Sequence, residues 1–378
     1  MARIRLGMVG GGNDAFIGGV HRIASRIDDR YELVAGALSS TPEKSAASAK
    51  ALGIPRSYGS FEEMAKAEAA REDGIEAVSI VTPNHVHFAA AQAFLSKGIH
   101  VICDKPLTST MEDAKAMEQT VVSSDALFVL THNYTGYPMI RQARAMVQAG
   151  ELGDIRIVQA EYPQDWLTSP MENEGLKQAE WRTDPARSGA GGSIGDIGTH
   201  AHNLACFVSG LKVESIAADL QSFGAGRTLD DNAHMMLRFA GGARGMLWSS
   251  QVAPGNENAL KLRAYGSKGG LEWSQEDPNY LWFTPHGEPK RLLTRGGAGA
   301  NDAAAAASRI PGGHPEGYLE GFATIYNEAA DAIRAVQGGA DRKAAMGVLP
   351  GIEAGMDGMA FINACVTSST KNAAWVTL

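Results

Sequence analysis

Cysteine is scarce in this chain: Cys103, Cys206 and Cys365 are widely separated, and none belongs to a CxxC pair. An odd count at such spacing excludes a disulfide framework and a cysteine zinc site, so each reads as a small buried hydrophobe. Positive charge is also short, since 34 Lys and Arg against 42 Asp and Glu leave a formal charge of -8 with no polybasic run. A nucleic-acid partner therefore has no electrostatic footprint. No apolar run approaches the roughly 20 residues of a membrane span, and the opening Met-Ala-Arg-Ile-Arg lacks the apolar core and cleavage site of a signal peptide. No membrane partner and a cytoplasmic location are expected. His21, His85, His87, His132 and His202 form no metal set, because the closest pair, His85 and His87, is two apart and on a helix would face different ways. No catalytic metal is expected.

What is there is an ordinary globular composition, 44% hydrophobic and 20% charged. At 378 residues the chain exceeds what one core usually serves, so two domains are the default. The N-terminus carries the sharpest signal. Ile4, Leu6, Met8 and Val9 make an apolar strand of the kind covered on both faces in a parallel sheet, and Gly10-Gly11-Gly12 ends it. Gly10 permits a tight turn, Gly12 lets backbone approach a pyrophosphate, and Ala15 stands where the third glycine of the dinucleotide fingerprint falls. A helix from about Phe16 through Val20, Ile23 and Ala24 follows. This strand, turn and helix points to a nicotinamide or flavin nucleotide, with Asn13, Ala15, Phe16 and Ile17 beside its phosphates.

Strands and helices then alternate. Glu32 to Leu38 reads as a strand, Thr41 as the N-cap of a helix with Pro42 just inside, and Ser60-Phe-Glu-Glu63 as a capping box for a helix through Arg71. Ala77 to Val81, Ile99 to Cys103 and Leu127 to Leu130 are strands, with helices over 84–97 and 109–123 between them. Such βα units build a doubly wound parallel sheet, whose ligands sit at the carboxyl ends of the strands. Those ends carry Thr82-Pro83-Asn84 with His87, Asp104-Lys105-Pro106, and Asn133-Tyr134. The 2′ position of the cofactor is read about 20 residues beyond the glycines, normally by an acid in NAD enzymes. Ser39-Ser40 stands there, offering neither a carboxylate nor an arginine fork. Both NAD and NADP stay open, with NAD slightly preferred.

Gly10-Gly-Gly12, Thr82-Pro83 and Asp104-Lys105-Pro106, in this order, resemble the glucose-fructose oxidoreductase, inositol dehydrogenase and rhizopine catabolism (Gfo/Idh/MocA) family. The family's usual Glu-Lys-Pro is here Asp-Lys-Pro. Arg182 and the later Gly191-Gly-x-x-x-Asp196-x-x-x-His200 resemble its second motif. The resemblance implies an N-terminal Rossmann domain, placed at 1–131, and an α+β C-terminal domain over 132–378 with a large, mostly antiparallel, open-faced sheet. It also implies that one face of that sheet binds substrate while the other commonly makes the oligomer interface, so a homodimer or homotetramer is expected. Within the second part, Ala233, Met235, Leu237 and Phe239 alternate with polar or exposed-type residues, as do Leu260, Leu262 and Ala264, and 266–270 is a turn. Residues 137–149 read as a helix, 298–307 as a mobile Gly/Ala loop, and 317–334 and 351–368 as closing helices, the last returning to the nucleotide domain.

Oxidising a secondary alcohol needs a hydride acceptor, a base at the hydroxyl and a group that stabilises the oxygen as its proton leaves. Asp196 and His200 are four apart, which on one α-helix puts a carboxylate and an imidazole on a common face, with Ile197, Ala201, Leu204 and Val208 on the apolar side. His200 suits the proton transfer, Lys105 the developing oxyanion, and Asp196 the orientation of sugar hydroxyls. Tyr134, Asp165, Trp166 and Arg182 add hydroxyl-bonding groups and an aromatic platform for a sugar or polyol. Arg141 and Arg144 read as helix-surface ion pairs. The expectation is an NAD(P)-dependent dehydrogenase of a sugar, glycoside or cyclitol, similar to the levoglucosan and glycoside dehydrogenases. An NAD-dependent glycosidase that recycles its cofactor internally, or a non-catalytic NAD(P)-binding regulator, are the alternatives.

Overall fold

The computed structural model describes residues 2–13, 15–175 and 177–378. They fall into two compact units, one formed by 1–133 with 322–357 and the other by 134–321 with 358–378. The first unit holds six parallel strands, β1 (Ile4–Gly10), β2 (Tyr31–Ala37), β3 (Arg56–Ser57), β4 (Ala77–Val81), β5 (His100–Cys103) and β6 (Phe128–Leu130), in the order β3-β2-β1-β4-β5-β6. This is the Rossmann order, and the reversal between β1 and β4 opens a crevice at their carboxyl ends. Leu6, Met8, Val78, Ile80 and Ile102 are wholly buried, as strands covered on both faces require, each worth about 1.5–3 kcal/mol.

Helices α1 (Phe16–Ile27), α2 (Pro42–Leu52), α3 (Phe61–Ala69), α4 (His87–Leu95) and α5 (Met111–Ser123) connect the strands. Ser60 caps α3 through the Glu63 N–H (3.2 Å), but Thr41 makes no side-chain cap, and Pro42 alone starts α2. The expected helix over 84–97 is a 3₁₀ turn (Asn84–Val86) followed by α4, because Pro83 enters in an extended conformation. The two-residue β3 carried no periodicity by which sequence could find it.

The second unit holds nine strands among the described residues: β7 (Ile155–Pro163), β8 (Val213–Gln221), β9 (Asn232–Phe239), β10 (Arg244–Ser250), β11 (Lys261–Gly266), β12 (Gly269–Ser274), β13 (Tyr280–Pro285), β14 (Arg291–Thr294) and β15 (Val376–Thr377). All neighbours are antiparallel except β7 with β10. In β9 the odd-numbered residues from Ala233 to Phe239 are buried while His234, Met236 and Arg238 are exposed, the alternation of a sheet with one covered face. The helices of this unit are α6 (Pro138–Gln148), α7 (Lys177–Arg182), α8 (Pro185–Ser188), α9 (Thr199–Ser209) and α10 (Asp302–Ala307), while the stretch 322–357 of the first unit holds most of α11 (Tyr318–Gln337), all of α12 (Arg342–Met346) and the start of α13 (Ile352–Thr370).

Three expectations are corrected here. The Gly/Ala stretch ends in α10, not a loop: Asn301 accepts the Ala304 N–H (3.0 Å), and alanine is the best helix former. Arg141 is buried and donates to the Thr135 carbonyl, while Arg144 stacks on Phe207 at 4.5 Å, so neither serves a surface pair. Cys103 and Cys365 are buried, but Cys206 is partly exposed beside His202. No described helix is long and apolar enough to cross a membrane.

Candidate active site

In the first unit, Gly10 has a φ of +76° and Gly11 of +70°, the left-handed backbone the tight turn demands. The helix α1 rises directly from it, so its first N–H groups and positive dipole end face the turn. At Gly12 a Cβ would stand 2.9 Å from the Leu38 carbonyl and 2.8 Å from Ser48 Oγ, so the glycine also makes room for the protein itself. Close packing of helix on turn falls to Gly18, where a Cβ would lie 2.4 Å from Gly11 Cα. Asn13 and Phe16 are exposed, Ala15 and Ile17 half-buried. Arg22, which sequence reasoning missed, reaches back along α1 and donates to the Gly11 carbonyl; its half-burial lowers its pKa. Ser39 is half-buried and Ser40 exposed just after β2.

The strand ends β4, β5 and β6 bring together the other residues of this unit. Asn84 is buried, Thr82 and Pro83 are half-buried. His87 is fully buried, with its ring nitrogens 2.8 Å from the Pro106 carbonyl and 3.0 Å from the Thr82 carbonyl. Both nitrogens being engaged, it braces the two strand-end loops instead of facing a ligand. Asp104 accepts from the Lys105 N–H (2.9 Å) and from Thr131 Oγ1 (3.1 Å), which turns the shortened carboxylate towards its own loop. Lys105 is half-buried and precedes a cis bond to Pro106. Thr82 Oγ1 and Asn133 Nδ2 are buried polar atoms with no hydrogen-bond partner among the described residues. Buried polar groups are rarely left so, and donors of this kind at a crevice fit the polar groups of a nucleotide.

In the second unit, Asp196 and His200 are not on a single α-helix. Residues Ile194–Gly198 form a π-helical turn that runs into α9, so Asp196 lies in the wider turn and His200 in the narrower one. Ile197, Ala201, Leu204 and Val208 are buried, as the spacing predicts. Asp196 Oδ2 accepts from Arg182 Nε (3.1 Å) and from Gln251 Nε2 (2.9 Å), two donors that fix its orientation. Arg182 in turn lies over Trp181 at 4.3 Å.

The His200 ring, buried, meets Tyr134 edge-on at 4.8 Å and Tyr162 at 6.3 Å. The two phenols share a 2.5 Å hydrogen bond, Tyr162 donates to Asn258 Oδ1 (2.7 Å), and Gln164 donates to the same oxygen (2.7 Å). Burial pushes both phenols up, so they remain neutral donors. Trp166 is half-buried and donates to Gln164 Oε1 (3.0 Å), which ties it to this network, whereas Asp165 accepts from the Gly255 N–H (3.2 Å) and serves that loop. Tyr162, Asn258 and Gln251 were not found from sequence. Tyr162 ends a period-two strand, a signal that marks burial and not chemistry. No group of three His, Cys, Asp or Glu among the described residues is placed to hold a metal ion.

Two family models match the chain. One, an oxidoreductase family with an NAD-binding Rossmann fold, covers residues 4–132, and the other, the Gfo/Idh/MocA C-terminal domain, covers residues 140–272. An oxidoreductase structure from Sinorhizobium meliloti is 63% identical, covers 100% of both chains and superposes with a TM-score of 0.89. An inositol dehydrogenase homolog from Azotobacter vinelandii, solved with NADH and myo-inositol, is 35% identical over 100% of this chain and 98% of that one, with a TM-score of 0.91. The levoglucosan dehydrogenase of Pseudarthrobacter phenanthrenivorans is 28% identical over 73% of this chain and 75% of its own length.

Proposed function

The chain belongs to the Gfo/Idh/MocA oxidoreductases, and we propose that it oxidises a secondary hydroxyl of a sugar, glycoside or cyclitol, or reduces the matching carbonyl, with NAD only slightly preferred over NADP. The observation that carries this reading is the placement of Asp196, clamped by Arg182 and Gln251, one helical turn before a buried His200 walled by Tyr134 and Tyr162. The nicotinamide supplies the hydride acceptor when bound. Gly10, Gly12, Asn13, Ala15, Phe16 and Ile17 would hold its phosphates at the start of α1, Ser39 and Ser40 its adenosine ribose, and Thr82, Pro83, Asn84 and Asn133 its strand-end half.

His200, a group that titrates near neutrality when unperturbed, takes the hydroxyl proton in oxidation and returns it in reduction. The Lys105 ammonium favours the negative charge that the oxygen gains as its proton leaves. Asp196, oriented by its two donors, accepts from substrate hydroxyls, and Tyr134 offers a ring face and neutral polar edge. The levoglucosan and inositol enzymes among its relatives support a sugar or cyclitol substrate. The open face of the large sheet, where Met236 is 56% and Met246 50% exposed on paired positions, supports a homodimer or homotetramer.

The test is a panel of myo-inositol, levoglucosan and simple pyranoses with NAD⁺ and NADP⁺, read by the absorbance of the reduced cofactor. Turnover should be seen with at least one compound, and Lys105→Ala and His200→Ala should each lower kcat by about 10²–10⁴-fold while NADH binding persists. The double variant should lose less than the product of the two, as groups serving one step do. Glycoside cleavage without net cofactor reduction, or a folded single variant that keeps wild-type turnover, would overturn the reading.

A further inference from the structure

The π-helical turn that carries Asp196 begins at a segment gripped from outside. Asp230, buried just ahead of β9, accepts from the Gly192 N–H (2.7 Å) through Oδ1 and from Ser193 Oγ (2.6 Å) and the Ile194 N–H (2.9 Å) through Oδ2. Its backbone carbonyl takes the Ser193 N–H as well (2.7 Å). Three consecutive residues are thus bound at the helix entry, where N–H groups have no partner within the helix. Gly192 is required for this approach, because a Cβ there would stand 2.0 Å from the Asp230 carbonyl oxygen. The same strand end holds the middle of the turn too. The Asp231 carbonyl accepts the Gln251 N–H (2.8 Å), and the Gln251 side chain is one of the two donors on Asp196.

A π turn is rare, occurs mostly as a single turn inside an α-helix, and is frequent at functional sites. Relaxing it to α geometry removes one residue from the turn, which would rotate Asp196 by about 100° relative to His200. A fixed point is needed at the entry to prevent this, and Asp230 is that point.

We propose that Asp230 is a positioning residue for the reaction: its carboxylate fixes residues 192–194 and so holds the π register in which Asp196 and His200 stand together. It touches neither substrate nor cofactor, and the proposal rests on the roles given above to Asp196 and His200.

Asp230→Asn keeps the size but turns an NH₂ group towards a backbone N–H, and Ser193→Ala removes the bond to Asp230 Oδ2, together with the longer contact to Ser249 Oγ (3.3 Å), without opening a large cavity. In the full-length protein, Asp230→Asn should lower kcat by about 10²-fold, the cost of a small misplacement, with NADH affinity held within about twofold. Ser193→Ala should show a smaller loss in the same direction. In both, the limb of the pH profile that belongs to His200 should move, as should the His200 imidazole titration followed by NMR, its signal identified by its disappearance in His200→Ala. A residue that only stabilised the fold would lower the melting temperature and leave the kcat of the folded fraction, the pH limb and the titration at wild type, which would overturn the proposal. Should Asp230→Asn not fold, Ser193→Ala decides by the same readouts. The two ideas fail separately: wild-type turnover in His200→Ala removes the catalytic assignment, whereas a dead His200→Ala beside a wild-type Ser193→Ala and Asp230→Asn removes only Asp230.

Discussion

Ser39 stands where many NAD enzymes place an acid, half-buried after β2, its hydroxyl accepting from the Thr41 N–H (3.4 Å). A hydroxyl bonds a ribose and tolerates a phosphate, so selection between NAD and NADP at this position is weak. Ser39→Asp should therefore raise the KM for NADP by about tenfold, some ~1.4 kcal/mol of like-charge repulsion, while that for NAD stays level or improves. Initial rates with both cofactors check this, and equal use of NADP by the variant would move the reading position elsewhere. At this scale the sequence shows the residue types but not their orientation. Gly10 and Gly12 were legible as a turn, yet that Gly12 yields to the Leu38 carbonyl and that His87 braces two loops depend on neighbours distant in the chain. Arg22 was invisible because an arginine on a helix is ordinarily a surface charge.

Elements with their own periodicity or cap were read well, and those imposed from outside were not. The alternation in β9 and the Ser60 N-cap are local signals that the structure bears out, although the Glu63 carboxylate reaches back to the Gly59 N–H (2.9 Å) and not to that of Ser60. The π turn is not local: the four-residue spacing of Asp196 and His200 reads as an α-helix, and the residues at the entry of the turn are bound by Asp230, from beyond residue 229. Two alanine substitutions separate packing from helix propensity here. Gly192→Ala should cost about 1–3 kcal/mol by overpacking against the Asp230 carbonyl. A Cβ on Gly195 meets nothing within 4 Å, so Gly195→Ala should be neutral or stabilising by up to about 1 kcal/mol. Denaturant midpoints of the two variants check the contrast, and equal shifts would refute it.

For the molecule as a whole, buried histidines contribute to the response to acid, three of them most strongly. Burial lowers His21, His100 and His202 from 6.5 to about 4, so each ring is neutral in the folded chain over the range where the unfolded chain takes up a proton. Stability is thus full above about 6.5 and falls as the pH drops from there towards 4, each ring forfeiting on the order of 3 kcal/mol at the end of the window. Urea unfolding at steps between neutral pH and pH 5 should show the decline, and His202→Phe, which keeps the stack on Phe361, should flatten it in part. A flat profile in the parent protein would refute the assignment.

The nucleotide unit is assembled from two stretches of chain, and the second brings Tyr326, whose hydroxyl bonds His21 Nδ1 (2.8 Å) and Ser79 Oγ (2.7 Å) and whose carbonyl takes the Tyr31 hydroxyl (2.8 Å). Residues 134–321 separate the six strands from Tyr326 along the chain, so His21, Ser79 and Tyr31 find their partner only in a stretch that is synthesised much later. A gene fragment ending at Asn133 encodes every glycine of the nucleotide turn and yet leaves an unfinished core, so the cofactor-binding half cannot be obtained by a single cut.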